Sequence, residues 1–177
     1  ILEKTLLLEL VYPQTSVSFP LLPDTKKSPK LLWLDTGLVN YVAGMQDDLL
    51  FSSDTDELWN GDIAEHVVAQ ELLASSFTFG ERRMFWLREA RNSQAEVDFL
   101  LRHKSHILPI EVKTGSNSKL RSLNLFMNES KESVALRLWN GPLSSDRIAK
   151  TGGEAFTLYN IPIYYAGQLR RFLDRIF

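Results

Sequence analysis

Two short segments carry the residues whose types and spacing suggest chemistry, and both have the pattern of β-strands. The first contains Glu96 and Asp98, and the second contains Glu111 and Lys113. Side chains alternate between the two faces of a strand, so Glu111 and Lys113 share a face. A tight turn within residues 102–106 would place Asp98 opposite Glu111 and Glu96 opposite Lys113. Like charges opposite each other on a sheet repel, and a divalent cation between the two carboxylates would explain their pairing.

The ions that suit such a site are Mg²⁺ and Mn²⁺. They prefer hard oxygen ligands, keep several waters and commonly take one or two carboxylates plus a substrate phosphate. Lys113 would lie beside the ion, where it could hold or help to activate an attacking water. A structural interpretation is also open, because strands often carry Glu–Lys pairs on a solvated face. Glu96 and Lys113 would then form only such a pair.

The elements that must position these residues begin at residue 61. Gly61 to about Ser75 is predicted as a helix, because its apolar residues recur at helical spacing. Period-two patterns then predict three strands, at Met84–Glu89, Glu96–Arg102 and Ile107–Lys113. Further predictions are a helix at 118–128, a strand at 133–139, a strand at 156–165 interrupted near 160–162, and a helix at 166–177. This order predicts an α/β fold in which an antiparallel meander forms part of a mixed sheet flanked by helices.

The first 60 residues are less regular. Residues 1–12 are leucine-rich and fit either a helix or a strand, and residues 13–29 contain four prolines that indicate a loop or an extended wing. Leu31 to Leu34 are predicted as a short strand. Asp35 then caps a helix that runs to about Ala43, and residues 44–60 form an acidic loop.

Composition limits the class of protein. The 177 residues are 44% hydrophobic and 24% charged, which is typical of about one globular domain. Cysteine is absent, which excludes disulfides, thiolate metal sites and a cysteine nucleophile. Only three histidines occur, so a metal site must rely on carboxylates. No membrane span or signal peptide is found, and we expect a cytoplasmic protein. The sequence begins in mid-pattern, and we interpret it as part of a longer chain.

Charge is unevenly distributed along the chain. Residues 45–79 contain eight acidic and no basic residues, whereas residues 80–121 contain nine basic and five acidic residues. These blocks have two interpretations, either two solvated faces or a basic surface for phosphate backbones beside a carboxylate site. The net charge of −2 does not by itself indicate a nucleic-acid-binding protein.

Five motifs, taken in order, resemble a known family. They are Leu31-Leu32-Trp33-Leu34-Asp35-Thr36-Gly37-Leu38, Gly61-x-x-x-Glu65-x-x-Val68-x-x-Glu71-Leu72, Trp86-x-Arg88, Glu96-Val97-Asp98-Phe99 and Glu111-Val112-Lys113-Thr114-Gly115. Asp98 followed by Glu111-Val112-Lys113 resembles the D…ExK signature of the PD-(D/E)XK nuclease superfamily. The full set resembles the nuclease-like domain of uncharacterised function at the C-terminal end of bacterial and archaeal AAA+-type ATPases. This resemblance covers about residues 30–165, and residues 1–29 resemble the end of the preceding winged-helix segment.

The resemblance implies a restriction-endonuclease-like core over residues 30–177, with a winged-helix remnant at 1–29. It implies that Asp98 and Glu111 ligate Mg²⁺ or Mn²⁺, that Lys113 is the catalytic lysine, and that Glu65 approaches the metal from the first core helix. Val97 stands in place of the proline of the signature, a proline that many members lack. Because no phosphate-binding loop motif occurs, this segment has no nucleotide site, and ATPase activity would belong to an N-terminal module of the same full-length chain.

The expected function is therefore Mg²⁺-dependent phosphodiester hydrolysis or DNA engagement under the ATPase, with DNA or RNA as the partner and no membrane association. The alternative is a non-catalytic interaction or regulatory module of the ATPase. Arg88 and Arg91 are candidate phosphate contacts, although solvated turn charges explain them equally well. His103 and His106 fall in a turn and are expected to be solvated.

Overall fold

The computed structural model describes residues 2–42, 44, 61–76, 82–90, 93–114 and 120–177. Most of the predicted acidic loop at 44–60 lies outside these ranges, and so does Arg91. In chain order the elements are β1 (Leu8–Val11), β2 (Pro13–Gln14), β3 (Lys30–Trp33), α1 (Thr36–Val42), α2 (Gly61–Ala74), β4 (Met84–Ala90), β5 (Ser93–His103), β6 (His106–Lys113), α3 (Arg121–Glu129), β7 (Val134–Trp139), β8 (Ser144–Ala149), β9 (Ala155–Pro162), a 3₁₀-helix (Ile163–Gln168) and α4 (Leu169–Leu173).

The described residues form a mixed α/β fold around a seven-stranded sheet with the order β2-β4-β5-β6-β7-β9-β8. Strands β4, β5 and β6 are an antiparallel meander, as predicted from their short connections. Strand β7 is parallel to β6 because α3 lies between them in the chain and carries it back to the other end of the sheet. Strands β1 and β3 form a separate antiparallel pair.

Helices cover both faces of the sheet. The inward residues of α2, including Ala64 and Val68, pack with the 3₁₀-helix and α4 on the face that contains Ile110 and Val112. Helix α3 packs Phe126 and its neighbours on the other face. Each face of the central strands is therefore buried, and polar residues on these strands are held in place by the core around them.

The chain departs from the predicted elements in three places. The helix predicted at 166–177 is a 3₁₀-helix at Ile163–Gln168 followed by the short α4 at Leu169–Leu173. Residues 144–149 form edge strand β8, which was not predicted, because its mostly exposed side chains show no apolar alternation. Strand β9 runs without the predicted interruption and ends at Pro162. Proline at the end of a strand costs no ladder hydrogen bond within it.

The β5–β6 turn is packed rather than solvated, which corrects the expectation for its histidines. His103 is only 7% exposed. The ring of His106 stacks on that of Phe177, with 4.1 Å between the ring centroids. The imidazole Nδ1 of His106 lies 2.9 Å from Glu132 Oε2. The C-terminal end of the chain covers this turn, which the local sequence around the histidines does not reveal.

No helix among the described residues is both long and apolar enough to cross a membrane.

Candidate functional site

The candidate site lies where β5 and β6 stop pairing. The hairpin register is the predicted one, with His103 opposite His106 and Phe99 opposite Ile110. One position further on, the carboxylate of Asp98 replaces the backbone pairing, because its Oδ2 accepts a 2.7 Å hydrogen bond from the Val112 N–H. This bond fixes Asp98 at the point where the two strands separate.

A β-bulge in β5 also positions Asp98. Strand β4 pairs Trp86 with Val97 and Met84 with Leu100, so one residue of β4 faces two residues of β5. Those two residues are Asp98 and Phe99. A bulge bends a strand and re-aims a side chain, and bulges are frequent next to active sites. The strand thus presents Asp98 differently from the strict alternation that the sequence predicts.

Glu111 and Lys113 lie on one face of β6, as predicted. The Lys113 Nζ is 2.8 Å from Glu111 Oε1. Glu111 is only 5% exposed, and its other carboxylate oxygen, Oε2, is buried without a hydrogen-bond partner among the described residues. An unpartnered buried carboxylate oxygen is costly, and a ligand that binds to it would offset this cost.

Lys30, at the start of β3, enters this group of acids from a distant part of the chain. Its Nζ lies 2.7 Å from Glu65 Oε1, 2.6 Å from Glu96 Oε1 and 3.9 Å from Asp98 Oδ1. Glu96 therefore pairs with Lys30 rather than with Lys113. We call these six residues the acid–lysine cluster: Lys30, Glu65, Glu96, Asp98, Glu111 and Lys113.

Helix α2 supplies Glu65 to the cluster. The neighbouring Ala64 and Val68 are fully buried against the sheet, which turns the adjacent Glu65 toward the edge of the buried face. The side chain of Glu65 is 21% exposed and that of Lys30 is 18% exposed. The acid that the family resemblance assigns to the first core helix thus lies with Lys30 and Asp98.

Burial shifts the pKa values of the three central acids upward. Burial, together with the nearby Asp98 charge, raises the pKa of Glu111 to about 7, although the hydrogen bond from Lys113 opposes the shift. Burial also raises the pKa of Asp98 and of Glu65, against the attraction of Lys30. The charged forms of these acids are therefore unfavourable in the folded protein, and other interactions of the fold must offset that free-energy cost.

The two lysines remain charged. Burial alone would lower the pKa of Lys30, but Glu65, Asp98 and Glu96 outweigh it and raise that pKa. For Lys113, burial also acts downward, and the hydrogen bond and charge of Glu111 together with the charge of Asp98 raise the pKa. The cluster thus combines excess acid with two ammonium groups.

The donor set fits a hard divalent cation with few protein ligands. The described residues contain no group of three or more His, Cys, Asp or Glu side chains arranged to hold one metal ion. Mg²⁺ usually keeps several waters and takes only one or two carboxylates, which Asp98 and the unpartnered Glu111 oxygen can provide. Carboxylate oxygens are also the chemically appropriate ligands for Mg²⁺ and Mn²⁺.

Of the two candidate phosphate contacts, the structure describes Arg88. The Arg88 Nε lies 3.0 Å from Glu129 Oε1, and Arg91 falls outside the described residues. Sequence reasoning missed Lys30, which lies between the proline-rich residues 13–29 and the predicted strand at Leu31–Leu34. No local signal could have found it, because its contacts depend on where β3 packs rather than on its neighbours in the chain.

Comparison with protein families identifies the chain. A family model described as a domain of unknown function (DUF4143) matches residues 60–162, and the chain belongs to this family. The match includes Glu65, Glu96, Asp98, Glu111 and Lys113. Comparison with curated proteins and with solved structures finds no match.

Proposed function

We propose that the acid–lysine cluster hydrolyses phosphodiester bonds of DNA or RNA with the help of Mg²⁺ or Mn²⁺, and that its frame is a PD-(D/E)XK-type core. The observation that carries the proposal is the joint position of Asp98, Glu111 and Lys113 at the separating ends of two adjacent strands. Glu111 Oε2, which is buried and has no hydrogen-bond partner within the described ranges, supports it further. The two carboxylates provide anionic metal ligands, and the Lys113 ammonium provides a positive charge beside them.

Each residue of this set has a separate role. Asp98, anchored by the Val112 N–H, and Glu111 would hold the metal ion. The bound ion would lower the pKa of a water and offset charge on the scissile phosphate. Lys113, held 2.8 Å from Glu111 Oε1, would orient the attacking water and offer a positive charge to the phosphate.

Lys30 and the remaining acids adjust the charge of the site. The Lys30 ammonium offsets Glu65 and Glu96, which would otherwise add repulsion to an already acidic region. Because Lys30 also lies 3.9 Å from Asp98, it limits how strongly Asp98 attracts a divalent ion. Lys30 would therefore set the affinity of the site rather than take part in the chemistry.

The wider context is part of the same proposal. The family resemblance supports a role for this domain under an ATPase module in the same full-length chain, with residues 1–29 as the end of a winged-helix segment. Such an arrangement would let nucleotide hydrolysis control access of DNA or RNA to the cluster.

A second candidate function is a non-catalytic interaction or regulatory module. Lys30 favours it, because an ammonium group among three carboxylates already neutralises part of the charge that a metal ion would neutralise. In that case the cluster would mainly fasten β3 to the sheet.

A cleavage assay distinguishes the two functions. Labelled single- and double-stranded DNA and RNA are incubated with the parent chain in Mg²⁺, in Mn²⁺ and in chelator. We expect metal-dependent cleavage that falls about 10²–10⁴-fold in Lys113→Ala, because a positioned electrostatic or acid–base group is lost. Lys131→Ala, which removes an exposed lysine elsewhere, should cleave at the parent rate.

Two results would count against the nuclease proposal. Cleavage by Lys113→Ala at the parent rate would assign the activity to another site or to a contaminant. No cleavage by the parent with either metal would favour the non-catalytic module. Circular dichroism of both variants checks that their folds are intact.

A further inference from the structure

A groove with both polar and apolar lining opens between α3 and the β4–β5 hairpin. Its volume is about 660 Å³. Among the described residues, its lining includes no carboxylate; it includes two arginines, Arg88 and Arg121, and hydroxyl and amide groups that include Ser93, Gln94, Ser122 and Asn128. We call this feature the α3 groove. Its lining offers hydrogen-bonding side chains and the positive charge of Arg121.

The two arginines differ in how far they are already paired. Arg88 uses its Nε for the ion pair with Glu129. Arg121 is exposed, and within the described part of the chain it forms no ion pair or hydrogen bond. A guanidinium group without a partner, beside hydroxyl and amide donors, is suited to phosphate oxygens and sugars.

The α3 groove and the acid–lysine cluster share strand β5. Residues 93–95 line the groove, and Glu96 and Asp98 follow them on the same strand. The Glu96 N–H donates a 3.3 Å hydrogen bond to Ser122 Oγ, which joins the groove wall to the strand that carries the acids. Three residues of strand span about 10 Å, so Ala95 and Asp98 are about that far apart.

We propose that the α3 groove binds the sugar–phosphate backbone of a DNA or RNA strand and directs it to the acid–lysine cluster. This inference rests on the proposed function. An acidic peptide would satisfy the arginines as well, but a phosphodiester chain is the substrate that the proposed function requires at the cluster on the same strand. Because backbone contacts carry no sequence information, binding is independent of base sequence and falls as salt rises.

The test measures binding without cleavage. The 177-residue chain is titrated in chelator into fluorescein-labelled DNA and RNA oligonucleotides, and fluorescence anisotropy gives the dissociation constant at several salt concentrations. We expect Arg121→Ala to weaken binding about tenfold for every sequence, which is the effect of losing one charge-assisted hydrogen bond. The slope of log affinity against log salt should fall by about one.

The matched control is Arg147→Ala on β8, at the opposite edge of the sheet, where Arg147 is also exposed. It should bind as the parent does. Equal weakening in the two variants, or no binding by the parent at low salt, would overturn the proposal. Equal competition by an oligoglutamate of matched charge would also overturn it, in favour of an acidic peptide.

The same measurements separate this inference from the proposed function. If Arg121→Ala weakens binding in chelator but the parent never cleaves with Mg²⁺ or Mn²⁺, the groove is a nucleic-acid site and the nuclease proposal is wrong. If the parent cleaves and Arg121→Ala leaves the substrate KM unchanged, the nuclease proposal stands and the groove proposal is wrong.

Discussion

The two ends of the β5–β6 hairpin differ in how completely their carboxylates are hydrogen-bonded. At the turn end, Glu132 accepts a 2.8 Å hydrogen bond from the Ile107 N–H and lies 2.9 Å from His106 Nδ1. At the open end, Glu111 is almost fully buried and leaves one oxygen unpartnered among the described residues. Each oxygen of Glu132 thus has a partner in the turn, whereas burial raises the pKa of Glu111 to about 7.

This difference separates a carboxylate that stabilises the folded protein from one whose burial destabilises it. A partly buried carboxylate whose two oxygens both have partners, such as that of Glu132, stabilises the turn. A buried carboxylate beside another acid destabilises the protein and persists where the surrounding structure holds it. The open end is therefore the better candidate for function, and four experiments test the difference between the two ends.

The largest effect is expected from Lys30→Met. Removing one partner of a buried ion pair typically costs about 3–5 kcal/mol, and we expect about 3 kcal/mol because Glu65 and Glu96 are partly exposed. Urea unfolding measures the change. The control is Lys27→Met, which removes the surface ion pair of Lys27 with Glu89 and should leave the unfolding midpoint unchanged.

The same variant tests the charge-setting role of Lys30. Mn²⁺ should stabilise Lys30→Met more than it stabilises the parent, because the acids have lost a competing cation. Equal stabilisation of the two proteins would show that Lys30 does not compete with a metal ion.

The second experiment concerns metal binding at the open end. Mn²⁺ at about one hundred times its dissociation constant should raise the free energy of unfolding by about 2.7 kcal/mol. Asp98→Asn combined with Glu111→Gln should abolish this gain. Without metal the double variant should be at least as stable as the parent, because repulsion between the acids is relieved. Calorimetry measures both quantities.

Glu3→Gln combined with Glu154→Gln is the matched control, since both acids are exposed and distant from the cluster. It should respond to Mn²⁺ as the parent does. A metal response that survives in the Asp98 and Glu111 double variant would show that the proposed ligands are wrong.

The third experiment follows the pH dependence of Glu111. Its pKa is higher in the folded protein than the ordinary value of 4.5, so the folded state binds more protons, and stability falls as the pH rises from about 4.5 through about 7. The shift bounds the effect at about 3 kcal/mol. At pH 8 the free energy of unfolding of Glu111→Gln should be about 2 kcal/mol higher than that of the parent. The gain is smaller than the bound because the neutral amide keeps only part of the charged hydrogen bond with Lys113.

Unfolding free energies measured from pH 4 to pH 8 give the result. The gain should vanish near pH 4, where Glu111 is protonated in both the folded and the unfolded protein. If the unfolding free energies of the parent and of Glu111→Gln changed in parallel over this pH range, the raised pKa of Glu111 would be wrong.

The smallest effect is expected at the turn end, from Glu132→Ala. It removes the acceptor for the Ile107 N–H and the partner of His106, and we expect a loss of about 1–2 kcal/mol. Cleavage per folded molecule should be unchanged, because the turn lies at the other end of the hairpin. A large loss of cleavage at full folding would remove the distinction between the two ends.

The sequence alone determined the local parts of the site. Period-two alternation placed Glu111 and Lys113 on one face of β6, and the short turn set the register that brings Asp98 next to Glu111. Helical spacing predicted α2, which carries Glu65. These features follow from local sequence because strand alternation, helix periodicity and turn length act between residues that are close in the chain.

Only the tertiary structure decided the rest. The contacts of Lys30 depend on β3 packing beside α2 and β5, and the bulge at Asp98 depends on the pairing of β5 with β4. His103 is buried because the distant C-terminal residues cover the turn, although its own segment looks solvated. The raised pKa of Glu111 likewise arises from burial. Packing and desolvation join residues that are far apart in the chain, and local patterns do not encode them.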